Sequence, residues 1–117
     1  MVSTFEFADN VVGVLIKEDL NAEVMEHVHQ LILERIDDHK KINLFIEIEA
    51  GLDVSLPALL KDVTFKFKNS DKFKRIAVVT NLNWFQNIME IKDLLIDAEV
   101  KSFKIENRLN AISWIAE

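Results

Sequence analysis

The sequence predicts an α/β fold: a central, mostly parallel mixed sheet of about five strands with an antiparallel edge hairpin and four helices. Three observations carry this. From residue 11 onward, short β-branched runs alternate with stretches whose apolar residues recur at helical spacing. The run Ile76-Ala77-Val78-Val79 has no polar residue on either face, as a strand covered on both sides requires. Two extended segments at the start are joined by Asp9-Asn10, a turn-forming pair. With 117 residues, half of them hydrophobic, the chain suits one domain spanning 1–117.

The hairpin strands are expected over residues 2–7 and 11–17, the second apolar on both faces. Asn21 is placed to cap a helix over 22–39, with Glu23 and Glu26 near its positive end and His39, Lys40 and Lys41 near its negative end. Val24, Val28, Leu31, Ile32 and Ile36 form its expected buried stripe, with Met25, His29 and Leu33 beside it. The run INLFIEIEA at 42–50 reads as a strand in which Ile42, Leu44, Ile46 and Ile48 share one face and Glu47 and Glu49 the other. Gly51 opens a loop to Ser55, which caps a helix over 56–68 with Pro57 in its first turn. Leu56, Leu59, Leu60, Val63 and Phe67 lie on one helical stripe, and Phe65 lies off it. The strand at 75–79 follows. Asn81 or Asn83 then begins a helix ending near Ala98, with Trp84, Ile88, Ile91 and Leu95 on one stripe and Phe85, Met89 and Leu94 widening it. A strand at 100–105 precedes a helix over 107–116 in which Leu109, Ile112 and Ile115 repeat at three residues.

Composition excludes several functions. Without cysteine there is no disulfide, thiolate metal site or cysteine nucleophile. Two glycines are too few for a phosphate-cradling loop. The net charge of -6 opposes general nucleic-acid binding. No apolar run is long enough to span a bilayer, and the N-terminus lacks the pattern of a signal peptide, so a cytoplasmic protein is expected. Charge is unevenly spread: -8 over residues 1–53, +4 over 61–75 and -2 over 76–117. Lys61, Lys66 and Lys68 therefore form a basic rim suited to peripheral contact with an anionic membrane surface.

No catalytic, metal or cofactor constellation stands out. His27 and His29 are two apart on a helix, unlike an i, i+4 metal pair, and read as surface or boundary residues. Glu47 and Glu49 lack a nucleophile or histidine placed to join them, and pairing with lysines is expected. Asp62 reads as a structural acceptor for Arg75 or a backbone amide. The helices at 56–68 and 83–98 carry more apolar width than one neighbour needs. Leu60, Val63, Phe65, Phe67, Trp84, Phe85, Ile88 and Met89 are therefore expected to line a pocket or a homodimer interface. In the pocket reading the 56–68 helix is a movable cover, with residues 51–54 and 69–72 as its hinges.

The order of elements, together with Asp62, Phe65, Phe73, Arg75 to Val79, Trp84, Ala98-Glu99-Val100, Phe103, Ala111 and Trp114, resembles the SpoIIAA-like family, which shares the fold of STAS domains. Two departures stand out: Thr80 occupies a position where the family often has Gly, and Asp53-Val54-Ser55-Leu56 lacks the Gly of the phosphorylatable motif in STAS antagonists. The resemblance implies a non-enzymatic binding or regulatory domain, similar in shape to CRAL-TRIO lipid-transfer domains. It would hold a lipid-like or fatty-acid-like ligand, or an apolar partner, between its second and third helices. The alternative is a phosphorylation-controlled protein-interaction switch at Ser55, where free amides and the helix dipole favour added phosphate.

Overall fold

The computed structural model describes residues 2–8, 10–36, 41–82 and 98–117, apart from the side chains of residues 6–8, 63, 66, 67 and 70. Five strands, β1 (Val2–Ala8), β2 (Val11–Ile16), β3 (Ile42–Ile48), β4 (Phe73–Val79) and β5 (Glu99–Phe103), form one sheet in chain order. β1 pairs antiparallel with β2, and the other three pairings are parallel, so the edge hairpin and the parallel sheet are both present. Among the described residues there are three α-helices, α1 (Ala22–Leu33), α2 (Leu56–Lys68) and α3 (Arg108–Ala116), rather than four. The further helix expected over 83–98, with Trp84, Phe85, Ile88 and Met89, lies outside the described residues up to Ala98, which is buried just before β5. None of the described helices is long and apolar enough to cross a membrane.

Alternation along each strand divides the core in two. Val12, Val14, Ile16, Leu44, Ile46, Ile48, Ile76, Val78 and Val100 face α1 and α2. Val11, Phe45, Ala77 and Val79 face α3, which buries Ala111 and Ile115 against them. Both faces of β3 and β4 are thus covered, which explains why ten of their fourteen residues are apolar. The polar residues that β3 and β4 do carry toward α3 are used to fasten it. Asn43 donates to the Ile115 carbonyl at 2.8 Å and Arg75 to the Trp114 carbonyl at 2.9 Å, satisfying orphan acceptors at the helix C-terminus. Arg75 also lies over the Trp114 ring, 5.1 Å from its centroid.

Several boundaries and faces differ from the sequence expectation. α1 is capped by Asn21, whose side chain accepts from the Val24 amide at 2.8 Å, but it ends at Leu33 instead of 39. Its buried residues are Met25, Val28, His29 and Ile32, so Met25 and His29 replace Val24 and Leu31 on the inner face. In α2 the inner face is Ala58, Leu59, Asp62 and Phe65, while Leu56 and Leu60 are 65% and 57% exposed. The helix is rotated from the expected stripe because Asp62 has a buried partner. In α3, Ile115 is buried but Leu109 is exposed; β5 ends at Phe103 instead of 105, and a 3-10 turn over Ile105–Asn107 leads into the helix. Asn81 Oδ1 accepts from the Ile105 amide at 3.0 Å, tying the end of β4 to the segment after β5. The loop before α2 is not a free hinge. Leu20 and Val54 form a parallel bridge, with Leu20 N–H on the Asp53 carbonyl and Ser55 N–H on the Leu20 carbonyl, both at 2.8 Å.

Candidate functional site

α1 and α2 lie side by side on one sheet face, and the groove between them is an open cavity of about 480 Å³. Leu33, Leu60, Thr64 and Phe65 supply much of its wall, His29 and Phe65 its deepest part, and Glu26, Gln30, Lys61, Lys68 and Asn69 its polar edges. Leu33 and Leu60 are both exposed, which is unusual for large aliphatics on helices already packed on a sheet.

Below the groove sits a buried polar pair. His29 Nε2 and Asp62 Oδ1 are 3.0 Å apart, with both residues buried, and the imidazole stacks on Phe65 at 3.9 Å between centroids and 6° between planes. Phe65 in turn leans on Phe73 of β4 at 6.2 Å. An aspartate alone on this face would be strongly unfavourable; across from a histidine it has a hydrogen-bond partner and joins the two helices. Asp62 is the structural acceptor the sequence suggested, but its partner is His29, not Arg75. His29 is correspondingly a core residue and not a boundary one. Above the pair, Lys61 Nζ meets Glu26 Oε2 at 3.1 Å across the same two helices. That hydrogen bond and charge hold the Glu26 carboxyl below its ordinary value of 4.5.

Of the residues expected to line a pocket, Leu60 and Phe65 line this groove; Val63 and Phe67 lie on α2 with side chains outside the described set. Lys61 and Lys68 stand at its edge, and the Lys66 side chain is likewise outside the described set. The groove's other wall, Glu26, His29, Gln30 and Leu33 of α1, was not legible from the width of α2's apolar face, because α1 precedes α2 by a whole strand and shares no local pattern with it. The legible signal was a histidine and an aspartate each set among apolar residues of two different helices.

Ser55 caps α2, its Oγ accepting from the Ala58 amide at 3.2 Å, and is half-buried. On the opposite sheet face, Arg108 Nε and Nη2 each donate to a Glu47 carboxylate oxygen at 2.6 Å. Glu47 is therefore paired with an arginine, not with the expected lysines, and its carboxylate raises the Arg108 guanidinium further above its ordinary range. This pair borders a second cavity of about 480 Å³, floored by Phe5, Leu15, Phe45 and Ile112.

Comparison with known proteins agrees with the fold. A model of the family described as SpoIIAA-like matches residues 11–116. Among solved structures, the chain is similar to an uncharacterized protein of the DUF3478 family with a SpoIIAA-like fold from Shewanella loihica PV-4, with a TM-score of 0.69 and 20% identity over 98% of this chain and 92% of that one. No curated protein matches the chain.

Proposed function

The chain belongs to the SpoIIAA-like family, and from that premise we propose that it is a non-enzymatic, STAS-like binding domain whose α1/α2 groove holds the apolar chain of an anionic, lipid-like amphiphile. The observation that carries this reading is the groove itself. Its volume of about 480 Å³ falls within the range of small-molecule sites, and exposed Leu33 and Leu60 leave apolar surface uncovered along it. An alkyl chain laid against Leu33, Leu60 and Phe65 gains about 0.8 kcal/mol for each methylene fully removed from water. Lys61 and Lys68 at the edge favour an anionic head, although Glu26 offsets the first of them.

Native mass spectrometry of the purified chain, followed by titration with a fluorescent fatty acid, tests the proposal. Thr64 is exposed on the groove wall, so Thr64→Trp fills the groove without disturbing the core. It is expected to weaken fatty-acid binding by about tenfold or more, the loss of roughly two buried methylenes. Absence of binding by the wild-type chain, or unchanged binding by the filled variant, overturns the assignment of this groove.

A further inference from the structure

We propose that the cavity on the α3 side of the sheet binds a free α-amino acid with an apolar side chain, at a site separate from the α1/α2 groove and independent of what that groove holds. The packing of α3 leaves the space open. The helix lies chiefly over β3, β4 and β5, so Phe5 of β1 and Leu15 of β2 stay half-buried on the same face. Gly13 has no side chain to lift the Phe5 ring, which lies over its backbone and meets Phe45 edge-on with centroids 5.8 Å apart. With Leu15 and Ile112 the two rings floor a cavity of about 480 Å³, within the range of small-molecule sites.

Its rim carries both signs of charge, and the pairing there is incomplete. Arg108 gives Nε and Nη2 to the two oxygens of buried Glu47, yet its side chain is 47% exposed and no described residue engages Nη1. Lys17 and Glu49 stand exposed on the same rim, and neither makes an ion pair among the described residues. Anchorage of α3 alone does not call for a carboxylate buried beside two aromatic rings, because Asn43 and Arg75 already fasten that helix and a buried ion pair gives little over apolar packing. The rim chooses its ligand by charge. A simple anion meets Glu47 and Glu49, and a simple cation meets Arg108 and Lys17. A zwitterion satisfies both sets: its carboxylate takes the unengaged edge of the Arg108 guanidinium, with Lys17 on the same rim. Its ammonium goes to Glu47 and Glu49, alternate residues on one side of the sheet, and its side chain lies on the Phe5–Phe45 floor.

The experiment is titration of the isotope-labelled full chain with phenylalanine, phenylpropionate and phenylethylamine, followed by amide chemical shifts, which report place and affinity together. Phenylalanine should shift amides of β1, β2, β3 and the start of α3. Phenylpropionate lacks the ammonium and phenylethylamine the carboxylate, and each should bind about tenfold or more weakly than phenylalanine. Glu49→Lys reverses an exposed, unpaired charge without touching the core, and should weaken phenylalanine about tenfold while phenylpropionate binds equally or more tightly. Arg108→Lys keeps a cation beside Glu47 but loses the second donor edge, and should weaken both carboxylate ligands. No shift with phenylalanine at millimolar concentration overturns the proposal, as do shifts confined to α1 and α2. Affinity for either analogue equal to that for phenylalanine, or wild-type phenylalanine binding by Glu49→Lys, overturns it as well.

Discussion

Gly13→Ala adds one methyl group to the middle of β2, directly across the strand pair from Phe5. Backbone strain plays no part, since Gly51 is the chain's glycine with positive φ and Gly13 is ordinary strand. Space does. A Cβ at Gly13 would fall 2.6 Å from Phe5 Cε2 and nearer still to Cζ and Cε1, against ordinary carbon–carbon contacts of about 3.5–4.0 Å. The ring lies over the glycine backbone and meets Phe45 edge-on, with centroids 5.8 Å apart, so it must swing outward and lose that cover. Overpacking of this kind costs about 1–3 kcal/mol. Removing a glycine from a strand interior returns about 0.5–1 kcal/mol, and because contacts this close put the clash in the upper half of that range, about 2–3 kcal/mol, the net loss is about 1–2.5 kcal/mol. For a domain of this size that lowers Tm by roughly 4–8 °C. Urea and thermal unfolding followed by circular dichroism should show it, provided the transition is two-state. The sharper test is sign reversal. In a Phe5→Ala background the methyl group meets no ring, and Gly13→Ala should then stabilise by about 0.5 kcal/mol or more. Equal destabilisation in both backgrounds would refute the reasoning and place the clash elsewhere.

Two further outcomes concern the groove. Asp62→Ala removes the buried partner of His29 Nε2 and should cost about 1–3 kcal/mol in urea unfolding, while the double replacement His29→Leu, Asp62→Leu should cost less than the worse single change, because no polar group is then left stranded. Lys61→Met should raise the Glu26 carboxyl toward its ordinary range in an NMR titration, leaving the weaker pull of the Gln30 hydrogen bond in place. Because the folded-state value in the wild type is depressed, the contribution of this pair to stability is present above the unfolded value and lost as pH falls through the folded one, so the variant should show a flatter stability profile in that acidic window.

Strand order and pairing were legible because each strand carries its own signal. β2, β3 and β4 are nearly all apolar, and the turn at Asn10 marks the hairpin. Helix existence was legible for the same reason: Asn21 and Ser55 cap where their side chains predict. Helix orientation was not. Periodicity assumes that a polar residue faces water, and the assumption fails wherever two polar residues on different elements satisfy each other in the core. Asp62 and His29 do this between α2 and α1, buried Glu47 on β3 is met by the exposed Arg108 of α3, and Asn43 reaches the Ile115 carbonyl across the second core. None of these partners is near its mate in sequence.

The same failure explains why the groove has the character it does. A helix on a sheet can turn only one face inward, so α2 must choose between its leucine stripe and the face bearing Asp62 and Phe65. Burying Leu56 and Leu60 would gain roughly 1.5–3 kcal/mol for each side chain fully removed from water. The other face offers Phe65, stacked on His29 and leaning on Phe73, together with Leu59, Ala58 and a hydrogen bond across two helices. In the observed fold that face is turned inward, and the leucines left outside line or flank the groove mouth. Apolar exposure at the candidate site is therefore tied to how the core is built. A polar pair inside holds α2 in the orientation that keeps Leu60 available to a ligand in the groove and Leu56 outside the core, and a chain with an all-apolar interface at that position would have no reason to leave them there.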